Sequence, residues 1–256
     1  MLKQFVAAVA GGLMIALGGC VYLGAQYNFL TLQLTTLDTY VGAFLFALAF
    51  ICICMKGYGL FTDRVGYLAD NLTGDEIKGT SMTLLGNAVA TFVVGALVCY
   101  TMTADLGAVA LYMVVKKVGI AWYVTLLRAV LCGVLSYLAV SVYREKNSVL
   151  GIVFCVPAFV IAGFEHSVAD MFYLAASGYR DWDGLMFLIT VLVGNTVGCM
   201  LLPILSRGMK DGADEAEAAE IDEADEAAEI DEAEDEEFEV EVEVMADKAV
   251  EEADGE

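Results

Sequence analysis

Histidine is nearly absent from this chain: His166 is the single histidine among 256 residues. Hydrolytic and metal sites need several proton-transferring or coordinating groups in a fixed pattern. No histidine pair, nucleophile-elbow motif or metal-ligand spacing accompanies His166. The sequence therefore gives no support to an enzyme, and it predicts neither a metal nor another cofactor.

Charge is also scarce along most of the chain. Residues 79–104 contain no acidic or basic side chain, and a bilayer is crossed by about 20 apolar residues. After Lys3, uncharged sequence continues to residue 37, whereas the apolar core of a secretory signal has about 7–15 residues. These runs predict a polytopic protein of the lipid bilayer whose first span begins near the N-terminus.

The acidic charge is concentrated at the C-terminal end. Residues 211–256 hold 24 of the 35 acidic residues and one base, Lys248, while residues 1–210 hold 11 acids and 12 bases. A segment with so many like charges and so few large apolar residues does not form a packed core. We therefore predict a channel domain over residues 1–206 and a disordered acidic tail over residues 207–256. Nucleic acid is an unfavourable partner for such a tail.

Hydrophobic runs predict six membrane-crossing units, and two of these units are interrupted. One run stops at Lys56-Gly57, and another stops at Gly163 and resumes at Ser167. Interrupted segments in the middle of each half are typical of two inverted three-helix repeats whose broken helices meet at a substrate site. An ordinary glycine kink is the alternative. The predicted units are 4–27, 39–73, 79–104, 118–143, 148–178 and 184–206.

Basic residues predict the orientation, because cytoplasmic loops of membrane proteins are enriched in lysine and arginine. With both termini in the cytoplasm of a cell-membrane protein, Lys116, Lys117 and Arg180 fall outside. The bases on the cytoplasmic side are then Lys3, Lys78, Arg144, Lys146, Arg207 and Lys210.

The ionisable pair Glu165-His166 follows an apolar run at membrane depth, where such groups are usually functional. A bare small anion leaves water for an apolar constriction at a much greater cost than its neutral acid does. Histidine, with an unperturbed pKa of about 6.5, can give and regain a proton near neutrality. His166 is therefore predicted to supply a proton to a small anion inside a pore.

Four motifs together resemble the formate/nitrite transporter family over about residues 1–206. The resemblance implies an aquaporin-like, all-α fold, homopentamers with one pore per protomer, and transport of formate, nitrite or hydrosulfide with protons. It does not identify which of these anions is carried. The motifs are Gly163-Phe164-Glu165-His166-Ser167-Val168-Ala169, Leu60-Phe61-Thr62, Leu85-Gly86-Asn87 and Val193-Gly194-Asn195-Thr196-Val197-Gly198.

The resemblance also implies which residues form the pore. His166 matches the central histidine, Glu165 its supporting glutamate, and Thr62 the threonine of the first interruption. Lys117 matches the base of the outer vestibule. The apolar constrictions on either side correspond to Phe46, Phe50, Phe61 and Phe159.

Several positions depart from the family pattern, namely Gly59, Asp63, Arg64, Gly133 and Asp170. Lys56 and Arg128 are additional bases, and an unpaired base at the bilayer centre costs about 2.5–3.5 kcal/mol. We therefore expect Asp170 to pair with Lys56 or Arg64, and Arg128 to strengthen the attraction of anions.

Three functions remain open from the sequence. The favoured function is a channel or transporter for small weak-acid anions. A membrane enzyme using His166 with Glu165 as acid and base lacks supporting motifs. A non-conducting membrane scaffold that displays the acidic tail is the second candidate, because the pore loops depart from the family pattern.

Overall fold

The computed structural model describes residues 1–31, 37–69, 71–101 and 104–209, and these residues are helical with no strand among them. The predicted all-α class is therefore confirmed. The acidic repeats lie outside the described residues. The helices are α1 (Leu2–Thr31), α2 (Asp38–Lys56), α3 (Phe61–Gly66), α4 (Gly74–Tyr100), α5 (Ala104–Val118), α6 (Trp122–Lys146), α7 (Leu150–Ile161), α8 (Ser167–Ser177) and α9 (Trp182–Met209).

Five helices of the described part are long and apolar enough to cross a membrane: α1, α2, α4, α6 and α9. The apolar helix α7 has 12 residues, which span about 18 Å at 1.5 Å per residue, whereas the hydrocarbon core is about 30 Å thick. Helix α7 alone is therefore too short to cross the membrane, and a crossing at this point needs α8 as well. The count of six crossings and their inversion stay predictions.

The long helices present apolar surface outward and polar groups inward. Only 39–50% of the most apolar window of each long helix is buried, and large side chains such as Phe92 and Leu97 of α4 are exposed. The buried face of the same helix contains Thr83, Asn87 and Thr91. Such a pattern suits lipid as the solvent, because extensive exposed apolar surface is rare on soluble monomers.

Glycines allow the helices to approach closely. A Cβ atom on Gly86 of α4 would lie 2.6 Å from the Ala8 Cβ of α1, and one on Gly194 of α9 would lie 2.5 Å from the Ala129 Cβ of α6. Neither distance is sterically possible. Helices inside lipid have no hydrophobic driving force for association, and close packing at small residues holds them together instead. The Gly86–Ala8 and Gly194–Ala129 contacts lie at matching places in the two halves of the chain.

Two interruptions separate short helices from the helices before them. Helix α2 ends at Lys56, and the first interruption runs through residues 57–60 before α3 begins. Helix α7 ends at Ile161, and the second interruption runs through residues 162–166 before α8 begins. Gly57 and Gly163 have φ of +65° and +68°, which only glycine adopts at little cost.

Helix α5 was not predicted from the sequence. The sequence analysis placed Lys116 and Lys117 outside the membrane, just before a span that begins at residue 118. The structure places both lysines in the last turn of α5 and begins α6 at Trp122. Cations at a helix C-terminus interact favourably with the helix dipole. Helix α5 packs on α1, α4 and α8, and it thereby brings Lys117 beside the second interruption.

Candidate functional site

Asn87 of α4 satisfies the backbone of the first interruption. Its Oδ1 accepts a 2.8 Å hydrogen bond from the N–H of Phe61, the first residue of α3, and its Nδ2 donates to the Gly59 carbonyl at 2.9 Å and the Ala8 carbonyl at 2.7 Å. Backbone groups at helix ends have no intrahelical partner. A single buried amide therefore joins α1, α4 and the interruption.

Asn195 of α9 does the same for the second interruption. Its Oδ1 accepts a 2.7 Å bond from the N–H of Ser167, the first residue of α8, and its Nδ2 donates to the Glu165 and Ala129 carbonyls, both at 2.8 Å. The sequence analysis used the Gly-Asn pairs only as part of a resemblance and did not assign these asparagines a role. The sequence did contain a signal for these asparagines: a polar side chain within an apolar span needs a hydrogen-bond partner.

His166 is the last residue of the second interruption and the N-cap of α8. Its side chain is buried, and its Nε2 lies 3.1 Å from the Thr62 Oγ1 of α3. Its Nδ1 accepts a 3.2 Å bond from the N–H of Ala169 and so caps α8. An accepting Nδ1 has no proton in a neutral imidazole, so the proton is on Nε2 and is donated to the threonine hydroxyl.

Phenylalanine rings enclose the imidazole. Phe159 stacks on His166 with ring centroids 5.8 Å apart, and Phe50 meets it edge-on at 5.4 Å. Phe46 contacts Phe50 at 5.9 Å. Phe61 is buried, but within the described part of the chain its ring stacks on none of these three. The structure thus brings three of the four predicted phenylalanines together around His166.

Two cavities lie on the two sides of this centre. The first, which we call the α5 cavity, has a volume of about 110 Å³ and is lined by residues that include His166, Phe159, Lys117, Asp170, Tyr22 and Tyr173. The second, the N-terminal cavity, has about 300 Å³ and is lined by residues that include Lys3, Leu60, Asp63, Arg64, Thr83 and Arg144. Bases therefore line both cavities. Phe46 of α2 lines the first cavity, Gly57 just after α2 lines the second, and Phe50, which contacts His166, lies between them along the chain.

Lys117 contacts two carboxylates in the α5 cavity. Its Nζ donates to Glu165 Oε2, and it donates to Asp170 Oδ1 at 2.9 Å. The side chain of Lys117 is 20% exposed, whereas those of Glu165 and Asp170 are 2% and 1% exposed. The two acids thus lie together behind the lysine, within the membrane-spanning body.

The expected pairing of Asp170 with Lys56 or Arg64 is wrong. Asp170 pairs with Lys117 because α5 packs against α8, and Arg64 pairs with Glu76 at 2.9 Å. Lys56 is exposed in the last turn of α2, where a base suits the helix dipole. Arg128 is partly buried on α6, and among the described residues no acidic group pairs with it.

Of the other positions that depart from the family pattern, some line the N-terminal cavity and one lies in a contact between helices. Asp63 accepts a 2.5 Å bond from Arg144, whose guanidinium also lies 4.5 Å from the Tyr67 ring centroid. Gly59 lines the N-terminal cavity. Gly133 instead packs against α9, since a Cβ there would lie 2.6 Å from the Asn195 carbonyl oxygen.

The fold and the site define an integral membrane protein whose interrupted helices surround a buried histidine between two charged cavities. A family model described as "Formate/nitrite transporter" matches residues 1–207. The chain belongs to the formate/nitrite transporter family.

Individual relatives and solved structures are similar to this chain over most of its length. "Uncharacterized transporter YrhG" of Bacillus subtilis is 27% identical over a 206-residue alignment, and the match covers 73% of this chain and 77% of that protein. "Formate-nitrite transporter 2" of Toxoplasma gondii is 28% identical over 78% of this chain, and the match spans 49% of that protein.

Two solved structures share the fold. An "FNT family ion channel" superposes with a TM-score of 0.71 at 22% identity, covering 82% of this chain and 90% of that one. A "Pentameric formate channel with formate bound" superposes with a TM-score of 0.68 at 19% identity, covering 81% of this chain and 96% of that one.

Proposed function

We propose that this protein is a cell-membrane channel or transporter for small monovalent weak-acid anions, such as formate, nitrite or hydrosulfide. His166 hydrogen-bonds the passing anion through Nε2–H. With the anion bound, the imidazole takes up a proton from solution and passes one proton to the anion, so that the ring is neutral again and the neutral acid moves on. Both chain termini face the cytoplasm. The main support is the position of His166: it is buried beside Thr62, between phenylalanine rings, with a cavity lined by bases on each side.

The physical reason for a proton at this point is desolvation. The rings of Phe50 and Phe159 leave little polar surface beside His166, and a bare anion loses its hydration there at a high cost. A neutral acid passes such a constriction far more easily. The Nε2–H group that now bonds Thr62 is the donor available to an anion at this depth.

Basic residues attract the anion to each side of the constriction. Lys117 lines the α5 cavity, and Lys3, Arg64 and Arg144 line the N-terminal cavity. Three bases against one acid, Asp63, leave the N-terminal cavity positive, and a positive low-dielectric cleft raises the local concentration of anions. In the α5 cavity Lys117 is paired with two acids, so its attraction for anions depends on their protonation.

A homopentamer is the assembly we propose. The similar solved structure that binds formate is described as pentameric, and exposed apolar side chains cover the long helices of the single chain. Part of that surface would then contact neighbouring protomers, and the remainder would contact lipid. Size-exclusion chromatography with light scattering measures this stoichiometry.

Uptake of labelled formate into proteoliposomes, with nitrite and hydrosulfide as competitors, tests the function. We expect His166→Ala to abolish uptake while assembly is retained, and Thr62→Val to reduce it. Thr91→Val is the matched control, because Thr91 is equally buried but bonds only carbonyls of its own helix. Well-assembled wild-type protein without flux of any of these anions would favour the scaffold over the channel.

A further inference from the structure

Asp170 has a carboxylate oxygen that no described group satisfies. Oδ1 accepts from Lys117, but Oδ2 is buried and has no hydrogen-bond partner. Asp170 also lines the α5 cavity together with His166. Buried polar oxygens are almost always paired, so a buried oxygen without a donor is a position where a proton is expected to bind.

The charges around Asp170 do not balance when every acid is ionised. Lys117 brings one positive charge, and Glu165 and Asp170 bring two negative charges. The other titratable groups nearby are His166, Tyr22 of α1, Tyr173 of α8 and Cys132 of α6. Tyrosines and cysteines are neutral at pH 7 in their ordinary state, so they supply no second positive charge.

His166 does not supply that charge either. Its Nδ1 is occupied as the acceptor that caps α8, and a second proton on the ring would break this bond and lie at the positive end of the helix dipole. An isolated buried carboxylate is costly and usually takes up a proton instead. One proton on the two acids makes the cluster neutral.

Of the four carboxylate oxygens, Oδ1 of Asp170 and Oε2 of Glu165 face Lys117, and Oδ2 of Asp170 is the one that is buried without a hydrogen-bond partner, so this atom takes the proton. We propose that Oδ2 of Asp170 is a proton-binding site of the α5 cavity, and that a weak-acid anion binds there through the Oδ2–H group. This inference rests on the proposed function. The ionised form of Asp170 repels the anion, so the proton and the anion bind together.

The first test is infrared difference spectroscopy of the full-length protein in liposomes. We expect a protonated-carboxyl band at neutral pH that shifts when formate is added and that is missing from Asp170→Asn. Wild type labelled with ¹³C-aspartate keeps the test independent of that variant, because the label moves the band if it belongs to an aspartate. A wild-type spectrum without a protonated aspartate overturns the proposal.

The second test is formate flux against the pH on the side of the α5 cavity. The protonated fraction of a single group falls about tenfold for each pH unit above its midpoint. The ratio of Asp170→Asn flux to wild-type flux should therefore rise by that factor per unit, because the asparagine cluster is neutral at every pH. Asp170→Glu should restore the wild-type dependence, and Asp75→Asn, at an exposed acid in the first turn of α4 that lines neither cavity, should leave it unchanged.

Two failures are distinguishable in this experiment. If wild type and Asp170→Asn give flux with the same pH profile, and His166→Ala abolishes it, then the site at Asp170 is wrong and the proposed function stands. If wild type gives no flux of any anion, the proposed function is wrong. The infrared band and its response to formate then decide the Asp170 site separately.

Discussion

The two interruptions of this protein have the same backbone hydrogen bonds but opposite chemistry. Asn87 and Asn195 each accept from the first residue of a short helix and donate to two carbonyls. Five residues after the carbonyl that each asparagine bonds within its interruption, Gly59 or Glu165, the side chain is basic at the first interruption, Arg64, and acidic at the second, Asp170. We therefore expect the shared asparagines to matter for stability and the differing charges to matter for flux.

Replacing the asparagine that bonds each interruption, Asn87 or Asn195, should cause the largest losses of stability. In Asn87→Leu and Asn195→Leu, three buried backbone groups lose their partner, and each unpaired group costs about 1–3 kcal/mol. We expect both variants to lose thermal stability to a similar extent, measured as the Tm of detergent-solubilised protein, or to fail to assemble. Asn71→Ala, at an exposed position, is the control. A wild-type Tm for one of the two leucine variants would show that the interruptions are not equivalent.

Replacing the base near each interruption, Lys117 or Arg64, should lower the stability of the protein to different extents. Lys117→Met leaves two buried carboxylates without a cation, and the loss of one member of a buried ion pair costs about 3–5 kcal/mol. Arg64→Met breaks a pair with Glu76 whose side chains are 28% and 43% exposed, and exposed pairs contribute about 0–1 kcal/mol.

The measurement is again the Tm in detergent, compared at neutral pH. We expect a much lower Tm for Lys117→Met, and partial rescue by the additional change Asp170→Asn, because this removes the second carboxylate. Equal Tm values for Lys117→Met and Arg64→Met would show that the buried ion pairs of Lys117 stabilise the protein no more than the partly exposed Arg64–Glu76 pair does.

The sequence predicted the helical class and the positions of both interruptions, because long apolar runs and the glycines that end them are local signals. Helix α5 was missed since its polar residues at both ends are also typical of a loop between spans. The contact of Lys117 with Asp170 was missed for a different reason. These residues are 53 positions apart, and only the packing of α5 on α8 brings them together.

The structure brings some of the predicted site residues into contact, and their roles in the pore stay predictions. The resemblance pointed to His166, Thr62 and the phenylalanines, and the structure brings His166, Thr62, Phe50 and Phe159 into contact. Neither periodicity nor charge indicated that Nδ1 of His166 caps α8. That bond depends on the backbone geometry of the second interruption, which composition does not specify.

The smallest effects are expected at the two glycines with positive φ. Gly57 and Gly163 both have open space where a Cβ would be added, so alanine brings backbone strain without a clash, at about 1–2 kcal/mol. Gly57→Ala and Gly163→Ala should therefore lower the Tm slightly and equally. Gly163 lines the α5 cavity of about 110 Å³ and Gly57 lines the N-terminal cavity of about 300 Å³. An added methyl group takes a larger share of the smaller cavity, so formate flux should fall more in Gly163→Ala than in Gly57→Ala. Equal flux in the two variants would mean that anion entry does not depend on the shape of the α5 cavity.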